Sequence, residues 1–579
     1  MSIYQAPIED YQFLYRDVFK LNEFWQHSTN FTDATDDMVD SILDEADKIC
    51  RQVLLPINAS GDAEGCHFDL TQTPPVHTPK GFVEAYQSFS ENGWFGLCGS
   101  QEYGAMGFPK SVGVMFEEML YATNCSFTLY LGLTTGVSQA LLNHASDELK
   151  QKYLPKLYSG EYSGSMCLTE PHAGTNLGSI RTKAVPISAT DQFEITGNKI
   201  FITAGEHDLS KNIIHLVLAR IEGEPEGNKG ISLFLVSKFN EDEQGNLTNN
   251  NHVQCTNIEH KMGIKASATC ALSFEKSKGV LIGKKNQGLQ AMFTMMNFER
   301  LSIAVQGLGL GDIAWQNALE YAKEREQGQT KYGNNLLAFG DVRRMLKVQE
   351  VLSQGARCLA IFISHKLDQY KDTQDEKINS QVALLTPVVK AFLTDRGFES
   401  TVLAQQIYGG HGFIQETGAE QYVRDARIAQ IYEGTNGVQA LDFLGRKVAF
   451  DQAVVLKKFT NELFAEMQTW QLEDQFVNYS EQLELGFTEF LSCTNKLLAQ
   501  KDKLDFTINA VCTDYLDGFG YLMYGYFYLK MINQIDSGSQ RTEFIENKKQ
   551  NTHFYFQKLF TRMKMHVQNV NNGAQSLLH

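Results

Sequence analysis

Between Ser163 and about Gly283 the apolar residues of this chain alternate, whereas on either side they recur every three or four positions. That switch in period demands a sheet inside an otherwise helical protein. A strand turns successive side chains to opposite faces, while a helix brings them back to one face after about 3.6 residues. In the alternating stretch, IIHLVLARI (Ile213 to Ile221) and ISLFLVSKF (Ile231 to Phe239) are β-rich runs separated by polar, Gly-rich loops. FEITGNKIFIT (Phe193 to Thr203) alternates on both sides of a TGN turn and reads as a hairpin. Helical spacing marks Ser111 to Ala122 and Leu141 to Tyr158 before it, and Phe298 to Arg325 and Ile378 to Leu403 after it. From Asp451 the pattern stays helical but is rich in aromatics. The expected organisation is a helical block (1–162), a β block (163–283), a second helical block (284–450) and an additional helical block (451–579).

Composition narrows the function classes. The chain has 579 residues, 43% of them hydrophobic, enough for a large core in more than one domain. A formal net charge of -17 argues against nucleic acid or an anionic membrane as the main partner. Ten scattered cysteines with no CxxC pair point to reduced thiols, and neither a disulfide framework nor a metal site is expected. The opening MSIYQAPIEDYQFLYRD has early acids and no apolar core flanked by basic residues, so no signal or transit peptide is expected. YLMYGYFYL (Tyr521 to Leu529) lies in a charge-free stretch shorter than the roughly 20 residues a bilayer span needs, and reads as a buried helix. A soluble, cytoplasmic protein is the expectation.

Six motifs carry chemistry, and each has a plain structural alternative. In CLTEPHAGTNLG (Cys167 to Gly178) glycines and hydroxyls suit a cradle for a phosphate or a ring carbonyl; taken alone, an ordinary polar turn between strands is the commoner explanation. GLGLGD (Gly307 to Asp312) mimics a dinucleotide fingerprint but follows no strand. In IFITAGEHD, Phe201 and Thr203 share a strand face and suit a flat heterocycle, against the commoner reading of Phe201 as core. NFERLSIAVQGLG opens a helical segment with Glu299 and Arg300, which as a plain feature is a solvated charge pair. IYGGHGF (Ile407 to Phe413) reads as a helix C-cap. In IAQIYEGTNGVQAL the lone acid Glu433 precedes Thr435 and Asn436, either of which caps the helix that follows. An acid there favours the helix dipole, yet its neighbours Ile431, Tyr432 and Gly434 also suit a partly desolvated general base.

The order of these motifs resembles one family. CLTEPHAGTN, IFIT, EHKMGIKAS (Glu259 to Ser267), a helix ending in KERE, QIYGGHGF and RDARIAQIYEGTNG together look like an acyl-CoA dehydrogenase over roughly residues 30 to 450. The extended C-terminus, IEHKMGIKAS and ALDFLGRKV are similar to the larger bacterial branch, which takes in methylmercaptopropionyl-CoA and some fatty acyl-CoA dehydrogenases. The resemblance implies a mainly α fold with an inserted β domain. Its parts would be an N-terminal helical domain, a middle β-barrel, a C-terminal four-helix bundle and an extra helical domain.

It also implies FAD as cofactor and oxidation of an acyl-CoA thioester to the trans-2-enoyl-CoA, with Glu433 removing the α-proton and the flavin accepting the β-hydride. By similarity Leu168 and Thr169 face the flavin edge, Gly174 and Thr175 the pyrophosphate, and Thr175 also the CoA arm. Phe201 stands where tryptophan is usual, and Thr203 supplies a hydroxyl to the ring. Arg325, Gln406 and Gly410 resemble residues that reach a neighbouring subunit's FAD. Thr435 and Asn436 lie at a helix start suited to an anionic cofactor. Asn297, Arg300 and Gly434 match substrate-side positions. His172, Asn176 and Gly437 depart from the common residues. Glu299 occupies a helix position that supplies the base in some members, but the intact YEGT motif favours Glu433. The implied partners are acyl-CoA, electron-transferring flavoprotein and a second copy in a homodimer. Rival readings are an oxygen-using acyl-CoA oxidase and a DNA-binding damage-response flavoprotein. Against the latter, residues 451–579 carry twelve Lys/Arg and fifteen Asp/Glu, so the basic region such binding needs is missing.

Overall fold

The computed structural model describes residues 2–577 other than 189, 243, 501–503 and 536–540. It divides into two compact units. One comprises Met1–Asp47, Pro109–Ala122 and Ile303–His579; the other comprises Lys48–Phe108 and Thr123–Ser302. Helices α1 (Lys110–His144) and α2 (Gly288–Glu324) contribute residues to both. α1 is two helices joined at Asn124 (φ -156°, ψ 89°), whose Oδ1 accepts a hydrogen bond from the Phe127 N–H at 3.0 Å and caps the second half.

The sheet belongs to the second unit. Its seven strands are β1 (Tyr162–Cys167), β2 (Lys183–Pro186), β3 (Gln192–Thr203), β4 (Asn212–Ile221), β5 (Ile231–Ser237), β6 (Val253–Ile258) and β7 (Thr269–Ile282). They pair in the order β6-β7-β3-β2-β4-β1, and β5 bonds to both β7 and β4, so β7, β3, β2, β4 and β5 close into a ring. Closure leaves those five without a bare edge, and this is the barrel that the family resemblance implied, in the stretch where the period switches. The pairs β1–β4 and β2–β4 are parallel. β4 shows why its sequence is mostly apolar on both faces. Ile214, Leu216 and Leu218 pack with Val137, Leu141, Leu154 and Met295 of the unit's helices, while Val217, Ala219 and Ile221 pack with Ile195, Phe234 and Phe274 of the sheet.

The hairpin expected at TGN is not there. Gln192 to Thr203 is one strand, and its Gly197 serves a close approach, since a Cβ at that position would stand 2.8 Å from Thr182 Cα. Residues on both sides of Gly197 alternate because both sides belong to one strand.

In the first unit, α2 crosses α4 (Glu376–Tyr408) at paired glycines. A Cβ on Gly307 would meet Leu393 O at 2.7 Å, and one on Gly397 would meet Gly307 O at 2.1 Å. GLGLGD is therefore a helix-crossing surface, as its lack of a preceding strand implied. The additional C-terminal helices share this core. Tyr521 to Leu529 lies in helix Leu504–Asn533 with its large side chains fully buried, and Gly355 of α3 (Gly340–Thr373) would clash with Tyr524 at 2.5 Å if it carried a Cβ. Among the described residues no helix is long and apolar enough to cross a membrane.

A buried ion network runs through the same unit. Arg357 donates to Glu118 (2.6 Å), Asp312 (3.0 Å) and Asp10 (2.8 Å), and Asp10 also pairs with Lys548 of helix Thr542–Phe554. Burial pushes the Glu118 carboxyl up to about 7 against the pull of Arg357. Burial raises Asp10 too, but Lys548 and Arg357 overcome it and hold that carboxyl below its ordinary value. All ten cysteines are free thiols.

Candidate active site

In the first unit the segment around Glu433 is strained and clamped. Glu433 has φ +54° and Gly434 φ +82°, two left-handed residues in succession. Glycine is favoured at 434 by its φ, and a Cβ there would push aside the Gln439 amide, whose Nε2 would stand 2.7 Å away. Glu433 has no such exemption and carries roughly 1–2 kcal/mol of steric cost. Such a residue persists only where its surroundings fix it, and such residues concentrate at functional sites. Here the Gln439 amide donates to the Glu433 carbonyl at 3.0 Å, and the Lys390 ammonium donates to the Gly434 carbonyl at 2.9 Å. Thr435 caps α5 (Asn436–Leu441), its Oγ1 accepting from the Val438 N–H at 3.2 Å. The Asn436 side chain turns inward. Its amide donates to Asp395 Oδ1 at 2.7 Å and Thr394 Oγ1 at 2.9 Å, and its carbonyl accepts from Lys390 at 2.9 Å. Tyr432 donates through its hydroxyl to the buried Gln306. The Glu433 side chain itself is half-buried.

Elsewhere in this unit Arg325 is exposed, one residue past the end of α2, and its carbonyl accepts from the Leu336 N–H at 2.9 Å. Gln406 and Gly410 are exposed around the end of α4, where Gly409 (φ +58°) is the C-cap, as the glycine pattern implied. Phe413 and Ile414 follow, 84% and 48% exposed.

In the second unit the loop after β1 is pinned from within. Glu170 is buried and accepts from Arg181 N–H (2.7 Å), Thr182 Oγ1 (2.6 Å) and Lys199 Nζ (2.9 Å), while Lys199 also donates to the Leu168 carbonyl (3.0 Å). Burial raises the Glu170 carboxyl, but Lys199 and these donors bring it below its ordinary value. Burial lowers Lys199, against Glu170. With its base fixed, the loop leaves Gly174, Thr175 and Asn176 exposed, and His172 bonds to the Ser179 carbonyl across it at 3.0 Å. Leu168 is buried and Thr169 half-buried.

Phe201 sits in a β-bulge. Ile200 and Phe201 of β3 oppose only Ala271 of β7, because the register shifts between Cys270 and Leu272. Phe201 takes φ +58° and is 59% exposed, so the commoner reading of a core phenylalanine is corrected. The Thr169, Thr175 and Thr203 hydroxyls make no hydrogen bond among the described residues. An outward aromatic with unspent hydroxyls fits a flat, polar-edged ring such as a flavin.

On α2, Arg300 donates to Asn297 Oδ1 at 3.1 Å, and Glu299 is 2% exposed. Glu299 is thus no solvated partner of Arg300. Its Oε1 lies where a Cβ on Gly136 would stand, 2.5 Å away, so glycine there makes room for the carboxylate.

Sequence reasoning missed Lys390, Gln439 and Gln306. A signal existed for the first: Lys390 is the one charged residue between Lys377 and Asp395 in an otherwise apolar helical run.

Four family models match the chain. They are the acyl-CoA dehydrogenase N-terminal domain (residues 37–161), middle domain (165–277) and C-terminal domain (286–449), and an acetyl-CoA dehydrogenase C-terminal-like domain (461–579). The chain is 39% identical over 470 residues to the 3-methylmercaptopropionyl-CoA dehydrogenase of Ruegeria pomeroyi, covering 80% of this chain and 79% of that protein. It is 34% identical to a butyryl-CoA dehydrogenase of Syntrophomonas wolfei, covering 80% and 78%. Among solved structures, the acyl-CoA dehydrogenase of Bacillus anthracis complexed with FAD shares the fold, with TM-score 0.77 and 20% identity over 96% of this chain and 91% of that one.

Proposed function

The chain belongs to the acyl-CoA dehydrogenase family, oxidoreductases acting on CH–CH bonds, and on that premise we propose that it oxidises an acyl-CoA thioester to the trans-2-enoyl-CoA with Glu433 as base. The observation that carries this reading is the backbone of Glu433, a non-glycine residue locked at φ +54° by a buried lysine and a buried glutamine.

An α-C–H beside a thioester is a weak acid, and a carboxylate in water does not remove its proton at a useful rate. In this reading Glu433 takes that proton on a carboxylate whose backbone is already held in place, so less orientation is lost on reaching the transition state. The Glu433 main-chain N–H serves as the chain's donor to the thioester carbonyl, where enolate charge develops. Asn297, Arg300 and Gly434 contribute on the substrate side. FAD, when bound, supplies the acceptor for the β-hydride. Phe201 offers it a ring face, Thr169 and Thr203 offer hydroxyls, and Leu168, Gly174 and Thr175 flank them. Thr435 and Asn436 contribute the helix start.

Arg325, Gln406 and Gly410, all exposed, serve the FAD of a second copy in a homodimer, a state that also covers Phe413 and Ile414. Electrons pass to electron-transferring flavoprotein, and free thiols throughout suit a reducing cytoplasm.

The test compares Glu433→Gln with Glu299→Gln for flavin bleaching by a panel of acyl-CoA thioesters from short to long chain, with branched and methylthio members. Loss of bleaching in Glu433→Gln alone supports the assignment; an unimpaired Glu433→Gln enzyme removes it. Oxygen uptake with peroxide release would move the reading to an oxidase.

A further inference from the structure

The region around Glu433 contains a charge that the proposed chemistry does not use. Lys390 has a relative exposure of 0%. A buried ammonium costs several kcal/mol unless its protons are all well placed, and lysine is among the residues least often found inside. A helix that only had to pack would carry an apolar side chain at this position, as it does at Val388, Val389, Phe392 and Leu393.

The ammonium is directed at one segment. It donates to the Gly434 carbonyl and to Asn436 Oδ1, each at 2.9 Å. One turn later on the same helix, Thr394 and Asp395 continue the grip. Asn436 donates to Thr394 Oγ1 at 2.9 Å and to Asp395 Oδ1 at 2.7 Å, and Asp395 Oδ1 also accepts from Gln430 Nε2 at 2.6 Å. α4 therefore holds residues 430, 434 and 436, on both sides of Glu433. Gln439 holds the Glu433 carbonyl from the other side. Of these groups Lys390 makes the shorter bond to Gly434, the residue whose φ of +82° continues the turn begun at Glu433, while the Gln439 amide reaches the same carbonyl at 3.4 Å.

We infer that Lys390 is a positioning residue for α-proton removal: its ammonium fixes the Gly434 carbonyl and the Asn436 side chain, and so keeps Glu433 in its strained, proton-accepting conformation. The inference rests on the assignment of Glu433 as base. Without the ammonium, the Gly434 carbonyl loses its charged donor and keeps only the longer bond from Gln439, so relaxation of Glu433 toward negative φ is less strongly opposed. The carboxylate then reaches the α-carbon less often in the right geometry, and a displacement of about 1 Å is enough to cost roughly 10²-fold in rate.

The test uses the FAD-loaded enzyme with Lys390→Met, which keeps the chain length and removes the charge, beside Lys390→Gln, which restores an amide donor. Flavin content and enoyl-CoA affinity are expected within about threefold of the unmodified enzyme. Flavin reduction at saturating acyl-CoA is expected to fall about 10²-fold in Lys390→Met, less in Lys390→Gln, with little change in KM. The kinetic isotope effect on an α-deuterated substrate is expected to rise in the variants, which a general loosening of the fold would not produce. If Glu433→Gln is inactive while both Lys390 variants reduce flavin at the full rate, the positioning role is wrong and the base assignment stands. If Glu433→Gln is active, both fall. Should Lys390→Met fail to fold, Lys390→Gln alone decides: an unchanged α-isotope effect with an unchanged rate overturns the proposal.

Discussion

Replacing Phe201 by alanine and by glycine separates a residue held for a ligand from one held for the core. Phe201 lies in the bulge of β3 at φ +58° and is 59% exposed. Fully burying a phenylalanine is worth about 1.5–3 kcal/mol, so the part of this ring that is covered contributes about 1 kcal/mol. Phe201→Ala loses that contribution and keeps the backbone cost, giving a loss of about 1 kcal/mol. Phe201→Gly loses the same contribution but escapes a steric cost of about 1–2 kcal/mol, while its freer unfolded chain takes back about 0.5–1 kcal/mol. The glycine variant should therefore match or exceed the alanine variant in stability, the reverse of the usual order in a strand.

Guanidinium unfolding of the FAD-free protein, compared at equal slope, reads this difference directly. FAD titration gives the complementary result. Both variants lack the ring, so both should weaken FAD binding by a similar factor of up to about tenfold, the equivalent of the roughly 0.5–1.5 kcal/mol of an aromatic contact. An alanine variant that loses about 3–5 kcal/mol would mean that Phe201 is a core residue and the reasoning is wrong. An alanine variant more stable than the glycine variant would mean that the left-handed backbone carries no cost.

Gly397→Ala should lower the guanidinium midpoint by the equivalent of about 1–3 kcal/mol or more, because its Cβ would stand 2.1 Å from the Gly307 carbonyl oxygen and backbone cannot rotate away; an unchanged midpoint would deny the helix crossing. Burial holds His365 neutral, with its pKa pushed down to about 3 from 6.5. A base whose folded pKa is lowered contributes stability above its unfolded pKa and loses it as pH falls from about 6.5 toward 3. His365→Phe should accordingly flatten the stability profile between pH 7 and pH 5 by about 1–2 kcal/mol, and an unchanged slope in the denaturation midpoint would contradict this. Asp10→Asn removes the carboxylate shared by Arg357 and Lys548 and should cost about 3–5 kcal/mol, whereas Glu118→Gln, at a carboxyl that burial already draws toward neutrality, should cost distinctly less; equal losses by thermal unfolding would refute that division of charge.

The parts of this fold that were legible in the sequence are those set by local period. The switch from helical to alternating spacing located the sheet, and Thr435 or Asn436 announced a cap, which Thr435 Oγ1 supplies. GLGLGD was rejected as a phosphate loop because no strand precedes it, and it lies inside α2. Non-local pairing was not legible. Closure of the ring depends on β5 bonding to both β7 and β4, and no spacing within β5 encodes two partners. The hairpin misread at Gly197 has the same origin. A glycine in a strand marks either a turn or the close approach of another backbone, and only the position of Thr182 decides between them.

At the site, the sequence pointed to residues by type and could not supply their exposure. Phe201 reads as core under the rule that large aromatics are buried, and a one-residue bulge reverses that. Glu299 fails in the opposite direction, since it is a charge that pattern places at the surface and the fold buries, and Lys390 is a second buried charge. For Lys390 the conflict was visible beforehand. A lone lysine in LLTPVVKAFLT agrees neither with an amphipathic stripe nor with a solvated face. A local rule broken without a local gain is where function is to be sought. Here the gain lies 44 residues along the chain, at the Gly434 carbonyl.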